Sequence, residues 1–439
     1  MKLFTFSSFR NGWLAGLFLS FPKIFRRRWG ACFFLLGVGA FPLQKGIGSL
    51  YGCRGEGSAE AGWTASGWSE FCRAGKTQNR YVQTSSSTLS FRVMSYNVEN
   101  FFDTSPDPIC DDREFLPEGN RHWTSKRYYH KLQQIAKVIT AAGEWDTPAL
   151  IGLCEIENDS VLTHLLHRTP LRLQDYRFCA GQTSDRRGIR VALLYQRDKF
   201  GYLSHRSIPI RFSGKHHKNT RDLLHVWGRL ITGDTLDVCV CHFPSRYGGE
   251  KESERDRMDA ARTLRSVCDS LIQIRRSPYL ILMGDFNDTP ENRSITEGLA
   301  ALPYNAERLP TEQPVRSEES EITIHGKSPI LYNLFSRPLP NAPRGSHKYQ
   351  GMWTQLDQMF INASFLDASS PIHLQPKSIR LFAPPFLLTK DKTWYGLRPF
   401  RTYYGFKYEG GFSDHLPILA DFEVMVPTSA PNVISPYGR

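Results

Sequence analysis

The sequence predicts an α/β fold, because two kinds of segment alternate along the chain. Short apolar runs of strand length are followed by longer segments in which apolar residues recur at helical spacing. This alternation is typical of domains in which helices connect the strands of a sheet. Hydrophobic residues make up 40% of the 439 residues, which is enough to form a large core and excludes an intrinsically disordered protein.

Seven segments follow this pattern in order. The predicted strands are residues 91–97, 149–155, 189–195, 236–242 and 279–283. The predicted helices are residues 126–142 and 250–276, in which leucine, isoleucine and valine recur every three or four positions. Nothing between residues 91 and 426 resembles a linker, so we expect one domain over residues 91–426 and a short tail over residues 427–439.

Residues 1–40 resemble an export signal. Six basic residues and no acidic residue precede an apolar run at residues 29–41, and small residues come before the predicted cut after Ala40. The run is shorter than the ~20 apolar residues of a membrane span. Removing the six charges from the formal +12 leaves +6, a mildly basic protein. We therefore expect a secreted, periplasmic or envelope-associated protein. The alternatives are lipid anchoring at Cys53, which ends the run LYGC, and a misassigned start, which would make the protein cytoplasmic.

Residues 41–90 are rich in glycine, serine, alanine and threonine, which predicts a flexible linker. The nine cysteines are too few and too scattered for a disulfide scaffold, and none has the spacing of a zinc site. Cys239 and Cys241 are expected on the same side of one buried strand.

Polar residues stand at the ends of the predicted strands. The segments are SYNVENFFD with Asn97 and Glu99, LIGLCEIEN with Glu155, CHFPSRYGG with His242, LILMGDFND with Asp285 and Asn287, TQLDQMFIN with Asp357, and GGFSDHLPI with Asp414 and His415. Each one alone is better explained as a loop-capping residue. Their repeated occurrence after apolar strands favours one convergent site, since a sheet fixes the position of groups at its strand ends.

In this order, the motifs N-x-E, LCE, H-x-P, GDFND, LDQ and SDHLP resemble those of the endonuclease/exonuclease/phosphatase superfamily, from about residue 92 to residue 422. That superfamily includes deoxyribonucleases, abasic-site endonucleases, inositol polyphosphate phosphatases and neutral sphingomyelinases. The resemblance implies a four-layer α/β sandwich, in which two mixed β-sheets pack face to face with helices outside. It also implies hydrolysis of a phosphate ester with a divalent metal, usually Mg²⁺, with Mn²⁺ as the alternative.

The residue chemistry agrees with a magnesium site. Magnesium prefers oxygen ligands, keeps several waters and takes one or two protein carboxylates. Glu155 matches the metal-binding glutamate of the family and is the first candidate ligand. Glu99, Asn97 and Asp414 are further candidates. Asn97 is also expected to donate its amide to the scissile phosphate or to a metal-bound water.

The remaining residues have predicted catalytic roles. Asp285 would orient or deprotonate the attacking water, a step that typically contributes ~10²–10⁴-fold. Asn287 would hold the phosphate by hydrogen bonds. Protonated His415 would contact a non-bridging oxygen, and Asp357 would fix its ring through the other nitrogen, as the aspartate of a triad does. The choice between the aspartate and the histidine as the base stays open.

His242 resembles the second catalytic histidine of the deoxyribonucleases, which an acidic residue supports. That acid would fall near residue 190, where this sequence has Arg190, and an arginine would depress the pKa of the imidazolium. Asp185 is the alternative partner. The competing interpretation is a histidine that merely caps the strand end.

Two segments are candidates for substrate recognition. Arg246, in HFPSRYGGE at the predicted start of a helix, is expected to bind phosphate. Residues 381–408 interleave aromatic residues with lysines and arginines, a pattern typical of single-stranded nucleic-acid binding. An aromatic flap packed on the domain and a membrane-interfacial hairpin are the alternatives.

The sequence therefore predicts a monomeric, metal-dependent phosphodiesterase that acts on DNA or RNA, with no protein partner. A phosphomonoesterase or lipid phosphodiesterase, with a phospholipid or other phosphate ester as substrate, is the alternative enzyme. A nucleic-acid-binding module without catalysis is the alternative from a different class.

Overall fold

The computed structural model describes most of the predicted domain, namely residues 87–214, 218–306, 330–340 and 342–426. The predicted signal peptide, residues 41–86 of the predicted linker, Cys53 and the predicted tail lie outside the described residues. Within the described part of the chain, no helix combines the length and the hydropathy that crossing a bilayer requires.

The helices are α1 (Ser125–Gly143), α2 (Asp159–His167) and α3 (Glu254–Ile274), with short helical turns at Arg113–Phe115, Pro170–Leu173, Ser294–Gly298, Ala363–Phe365, Pro376–Ser378 and Pro385–Leu387. The strands are β1 (Thr88–Phe101), β2 (Leu150–Ile156), β3 (Tyr176–Ala180), β4 (Arg190–Gln196), β5 (Gly201–Ile208), β6 (Leu223–Arg229), β7 (Thr235–His242), β8 (Tyr279–Asp285), β9 (Ala301–Pro303), β10 (Leu331–Asn333), β11 (His347–Tyr349), β12 (Met352–Thr354), β13 (Asp357–Asn362), β14 (Ile372–Leu374), β15 (Arg380–Leu381), β16 (Leu388–Lys390), β17 (Leu397–Pro399), β18 (Tyr403–Tyr404), β19 (Lys407–Tyr408) and β20 (Ile418–Met425).

Two mixed sheets of seven strands each form the centre of the structure. The first has the order β14-β20-β1-β2-β4-β3, with β15 also paired to β20. The second has the order β5-β6-β7-β8-β13-β10-β9. In the first sheet β1 and β2 are parallel and connected through α1. In the second sheet β7 and β8 are parallel and connected through α3, so each sheet is built around one βαβ unit.

The two sheets pack face to face across an apolar core. Gly152 of β2 faces Met283 of β8 so closely that a Cβ atom there would lie 3.0 Å from the Met283 sulfur. The Cys154 thiol donates to the carbonyl of Cys241 in the opposite sheet at 3.3 Å. These contacts confirm the sandwich that the family resemblance implied.

Alternate residues of the strands face the helices on the outside. Cys239 and Cys241 share a separate buried cluster with Leu264 of α3, as expected for residues on one side of a strand. On the first sheet, Arg92 of β1 donates to the carbonyls of Ala142 and Gly143 at the end of α1. The observed arrangement is therefore the predicted four-layer α/β sandwich.

The predicted elements are present with shifted ends. Strand β1 begins at Thr88, three residues before the predicted domain start, because residues 88–90 pair with the last strand, β20. Helix α3 begins at Glu254 rather than at residue 250. Residues 243–253, between β7 and α3, therefore form a loop. Arg246 lies in this loop and not at the start of the helix.

The carboxyl ends of β7 and β8 meet the amino ends of the antiparallel β13 and of β20 at one edge of the sandwich. Asp357 therefore begins its strand and His415 precedes its strand, whereas both were predicted to follow one. His242 at the end of β7 is in register with Asp285 at the end of β8, and Asp285 is in register with Asp357 of β13. Gly284 has a φ of +142°, and a side chain there would overlap the carbonyl of Cys241. Only glycine allows β7 and β8 to approach this closely just before the polar residues.

Candidate active site

Asn97 joins the two sheets at this edge. Its Nδ2 donates to Oδ2 of Asp285 at 3.0 Å and lies 3.3 Å from Oε1 of Glu155. Its Oδ1 accepts the backbone N–H of Glu99 at 3.0 Å. The amide oxygen is thus engaged, and the group facing the two carboxylates is the NH₂, which cannot ligate a metal. The structure does not support Asn97 as a metal ligand and makes it a donor to both carboxylates.

His415 lies between two aspartates. Its Nδ1 is 2.6 Å from Oδ2 of Asp357, and its Nε2 is 3.8 Å from Oδ2 of Asp285. Burial alone would lower the pKa of this imidazole, but the charges of Asp357 and Asp285 outweigh it and hold the pKa well above its usual value. His415 is therefore a cation at neutral pH that points a ring N–H toward the centre of the cluster.

Asp285 is buried at the centre of the cluster. Its Oδ1 accepts the backbone N–H of Asn287 at 2.9 Å. Burial raises its pKa to about 6, although the neighbouring His415 opposes this shift. A carboxylate with this pKa can exchange a proton near neutral pH, which is what a general base requires. Asn287 donates from Nδ2 to the carbonyl of Phe243 at 3.0 Å, and this bond uses one of its two amide hydrogens.

Glu155 is the predicted metal ligand that the structure leaves most available. Its carboxylate is half-buried, and Oε2 accepts the backbone N–H of Asn100 at 2.6 Å. Four non-glycine residues near this edge adopt a left-handed backbone conformation: Glu99, Asn100, Glu155 and Asn287. Such conformations cost energy and concentrate at functional sites, where the surrounding structure enforces them.

Glu99 has a different position from the one predicted. Its two carboxylate oxygens accept the backbone N–H groups of Thr402 at 2.7 Å and Tyr403 at 3.1 Å. Burial and the charge of Asp414 raise its pKa to about 7, and the charge of Lys131 opposes this rise. These bonds fix the loop before β18. The structure therefore does not support Glu99 as a metal ligand and assigns it to the support of that loop.

Asp414 lies beside two histidines. One potential ligand atom each of His347, Asp414 and His415 lies within 4.8 Å of the others. Burial would raise the pKa of Asp414, but the charges of His415, His347 and Arg401 outweigh it and lower that pKa. Because His415 is protonated and bound to Asp357, it is a poor ligand in this group. Asp414 therefore stays a candidate for a second cation position beside the cluster.

His242 reaches the site at the end of β7. Its Nε2 lies 3.7 Å from Oδ2 of Asp285, and its buried Nδ1 has no hydrogen-bond partner among the described residues. Arg190 does not contact it as the sequence suggested, since the Arg190 guanidinium lies 3.9 Å from Asp159. The structure thus places His242 beside Asp285, which also faces His415, and shows no second carboxylate in contact with it among the described residues.

Two other arginines determine the charge state of His242. Burial lowers the pKa of His242 most strongly, and the charges of Arg221 and Arg187 lower it further. Together they bring this pKa well below its usual value. Asp185 does not reach the histidine, because its carboxylate pairs with Arg221 at 3.0 Å and with Arg187 at 3.4 Å. His242 is therefore neutral at physiological pH.

Arg246 does not present its guanidinium to the site. It donates to the carbonyl of Asn287 at 2.7 Å and to the Asn292 side chain at 2.9 Å, and it pairs with Glu250 at 3.1 Å and Asp288 at 3.3 Å. Helix α3 begins eight residues further along the chain. The predicted helix start at Arg246 is therefore wrong, and the structure shows the residue holding the loop that carries Asn287 rather than facing the cluster.

The aromatic and basic segment divides into two groups of residues. Phe386 and Phe400 pack against the core, and Tyr403 is buried in it. The rings of Trp394, Tyr395, Tyr404 and Phe406 are exposed. Both interpretations of this segment thus apply to part of it, since some rings hold the flap on the domain and others face solvent.

Sequence reasoning missed three cations and one histidine near the cluster: Lys131, Arg187, Arg221 and His347. Of these, Lys131 could have been found. It lies on the same helical stripe as Tyr128, Ile135 and Val138, so a buried position for its charge was predictable. The other three lie in loops or short hairpins, whose placement depends on long-range packing.

The sequence model described as the Endonuclease/Exonuclease/phosphatase family matches residues 92–424. A protein of that family from Bacteroides thetaiotaomicron aligns with a TM-score of 0.46 at 15% identity, over 77% of this chain and 97% of that chain. A mannosyl-6-phosphatase from the same organism gives 0.45 at 15% identity, over 76% and 99%. D. rerio TDP2 complexed with a single-strand DNA product gives 0.43 at 14% identity, over 76% and 98%. A search of curated proteins gave no match.

Proposed function

Since this chain belongs to the endonuclease/exonuclease/phosphatase family, a family of phosphate-ester hydrolases, we propose that it is a divalent-metal-dependent phosphodiesterase that acts on nucleic acid. One observation carries the proposal. Asn97 from one sheet bridges Glu155 and Asp285, and Asp285 in turn lies beside the His415 and Asp357 pair. One phosphate group could thus contact three groups at once. They are the Glu155 carboxylate with its metal, the Asp285 carboxylate with its water, and the protonated ring of His415.

The residues at this edge fit a hard divalent cation. Glu155 offers half-exposed carboxylate oxygens, and Asp285 adds an oxygen atom that shares the Asn97 amide with it, the donor type that Mg²⁺ prefers. When bound there, the cation neutralises phosphate charge and stabilises the leaving oxygen.

The side chains of this chain carry the other parts of the reaction. Asp285 orients the attacking water and accepts its proton, which its pKa of about 6 allows at neutral pH. The protonated Nε2 of His415 donates to a non-bridging oxygen as negative charge develops, and Asp357 keeps the ring in that orientation. Asn97 holds the Asp285 carboxylate in place, and the free N–H of Asn287 is available to the phosphate.

The surroundings of the site favour a nucleic acid as substrate. Exposed rings at Trp394 and Tyr404 stand beside Lys390, Lys392 and Arg401 on the flap. Rings bind bases by stacking and cations bind the backbone, irrespective of sequence. The same exposed rings would also suit a lipid surface, so phospholipids belong in the test.

A substrate panel tests the proposal with the full-length chain. The panel contains labelled single-stranded DNA and RNA, supercoiled plasmid, sphingomyelin vesicles and the phosphomonoester p-nitrophenyl phosphate, each with Mg²⁺ and with EDTA. We expect hydrolysis of the nucleic acids that EDTA abolishes. The Asp285→Ala and His415→Ala variants should lose it, whereas Arg186→Ala, at an exposed position, should retain it.

Each other outcome contradicts a defined part of the proposal. Faster hydrolysis of sphingomyelin or of the phosphomonoester would show that nucleic acid is not the preferred substrate, while the proposed metal-dependent hydrolysis would still hold. Cleavage that persists in Asp285→Ala and His415→Ala would overturn the mechanism. Tight binding of nucleic acid without hydrolysis of any ester would favour a binding module.

A further inference from the structure

A groove lies on the flap beside strand β11. Strand β11 starts at His347, whose ring centroid lies 4.7 Å from that of His415. A backbone bridge also links these two residues. The next residues of β11 turn into the groove, which is lined by Lys348, Tyr349, Trp394, Arg398, Arg401 and Tyr404. We call it the Tyr404 groove. One lining residue, Lys348, therefore directly follows in the chain the residue whose ring lies beside that of His415.

The rings in the Tyr404 groove are held in place and remain accessible. Arg398 and Arg401 lie 4.8 and 5.3 Å from the centroid of the Tyr404 ring. Trp394 packs against Gly351, where a Cβ atom would lie 3.1 Å from the Trp394 side chain. Nevertheless 37% of Tyr404 and 49% of Trp394 are exposed. Rings ordered in this way can stack on a flat ligand without losing much conformational freedom.

The cations of the Tyr404 groove differ in whether a carboxylate neutralises them. Lys348 pairs with Asp391 at 2.9 Å and Arg398 pairs with Glu409 at 2.8 Å. Among the described residues no carboxylate forms an ion pair with Arg401. In the described part of the chain its guanidinium makes one long hydrogen bond, 3.4 Å to the Lys348 carbonyl, and its buried Nε has no hydrogen-bond partner. Arg401 is thus the cation of the groove that is available to an anion.

Arg401 also connects the Tyr404 groove to the reacting centre. Its guanidinium lies 3.4 Å from the carbonyl of Lys348, and Lys348 directly follows His347, whose ring lies beside that of His415. An anion bound at Arg401 would therefore lie on the side of the groove that adjoins the His347 and His415 pair. A sugar phosphate or a lipid headgroup offers an anion but no aromatic ring, whereas a nucleotide offers both.

We propose that the Tyr404 groove binds the nucleoside next to the scissile phosphate of a single-stranded nucleic acid, with its base stacked on Tyr404 and Trp394 and a flanking phosphate bound by Arg401. This inference rests on the proposed function and narrows it. It makes the enzyme dependent on a base beside the cleaved bond, and indifferent to which base it is, because every base has an aromatic face.

The test compares two labelled substrates with the full-length chain. One is hexathymidine, and the other is the same strand in which tetrahydrofuran abasic residues flank the central phosphate. We expect kcat/KM to be about tenfold higher with the base present, the size of one stacking contact. Tyr404→Ala should bring this ratio close to one. Phe406→Ala, an exposed ring on the same flap but outside the groove, should leave the ratio unchanged.

Arg401 is tested through salt. Each phosphate contact on a single strand contributes about 0.7 to the slope of log K against log salt. We expect Arg401→Ala to reduce the slope for hexathymidine binding by about that amount and Arg401→Lys to retain most of it. Thermal melting of each variant shows whether the fold is intact.

The failures can be distinguished. Suppose that hydrolysis is intact but the ratio of kcat/KM with and without the base is one in the wild type, or is unchanged in Tyr404→Ala. Either result would reject base binding in the Tyr404 groove and would leave the proposed function standing. If no oligonucleotide is cleaved, the groove is tested by binding alone. Binding of hexathymidine and of its abasic counterpart to the Asp285→Asn variant is then measured by fluorescence anisotropy. Base-dependent binding that Tyr404→Ala abolishes would support the groove without the hydrolase, and its absence would reject both.

Discussion

Nδ1 of His415 lies 2.6 Å from Oδ2 of Asp357, and both groups are buried where the two sheets meet. This contact fixes the ring so that Nε2 points toward Asp285, 3.8 Å away. It also stabilises the charged imidazole, because the carboxylate partner favours the protonated form. The pair therefore determines both where the proton is presented and up to which pH it is available.

Removal of the Asp357 charge should shift the alkaline limit of activity. The pKa of His415 is raised, so the active protonated form persists well above pH 6.5 and activity falls only when pH rises through that pKa. In Asp357→Asn we expect the alkaline limb of the kcat/KM profile to move to lower pH by about 1 to 3 units, the effect of one close charge. An unchanged alkaline limb would contradict the assignment of His415 as the acid.

The acid limb should report Asp285. A base must be deprotonated to act, so we expect kcat/KM to fall as pH decreases through about 6, the pKa of this carboxyl. Asp285→Ala should lower kcat by about 10²–10⁴-fold and should remove that limb from the residual activity. A residual profile that still bends near pH 6 would assign the limb to another group.

The strand ends of this site could be predicted from sequence because they follow a simple physical pattern. An apolar run that ends in Asp285 or Glu155 has to place that carboxylate at the sheet edge, where the chain leaves the core. The register of two parallel strands then brings His242 next to Asp285. That the two sheets pack face to face was predicted only from the family resemblance, because no local sequence pattern indicates how two sheets pack.

The parts that could not be predicted depend on contacts between distant loops. Glu99 was a candidate metal ligand because some members of the family carry a metal-binding aspartate at its position, but the N–H groups that bind it lie some 300 positions later, at Thr402 and Tyr403. Arg246 was a candidate phosphate ligand because its segment was predicted to open a helix directly after a strand. Its partners instead come from the loop after β8, around Asn287. In both cases a long-range hydrogen bond outweighed the local pattern.

Glu155 and Glu99 should respond differently to the same substitution. Because Glu155 is the carboxylate left for the cation, we expect Glu155→Gln to raise the Mg²⁺ concentration for half-maximal activity by at least about tenfold. Loss of a residue that merely hydrogen-bonds to a metal ligand already lowers metal affinity by about that factor. Glu99→Gln should leave that concentration unchanged. It should instead lower the thermal midpoint, since an NH₂ group then faces a backbone N–H, at a cost of about 1–3 kcal/mol.

Magnesium titrations and thermal melts of the two variants check this prediction. If Glu99→Gln raised the Mg²⁺ requirement as strongly as Glu155→Gln, the original assignment of both glutamates as ligands would be restored. Equal loss of stability in both variants would show that Glu155 also has a structural role.

His242 should contribute without titrating. Burial and the charges of Arg221 and Arg187 keep its pKa well below the usual value, so it stays neutral across the range in which the enzyme works. We expect His242→Ala to lower kcat but to leave both limbs of the pH profile in place. Conversely, Arg187→Ala should raise the pKa of His242, which NMR of histidine-labelled protein can follow. A limb that disappears in His242→Ala would show that this histidine transfers a proton.

Arg246 distinguishes positioning from phosphate binding. Its guanidinium holds the Asn287 carbonyl at 2.7 Å and the Asp288 carboxylate at 3.3 Å, so its loss should displace the loop that carries Asn287. We expect Arg246→Ala to lower kcat and the thermal midpoint with little change in KM. Arg246→Lys should not restore kcat, because one ammonium cannot replace a planar fork of donors. Arg186→Ala, a substitution of an arginine side chain that is 78% exposed, is the control. A phosphate ligand would instead give a raised KM and a smaller salt slope, with the thermal midpoint unchanged.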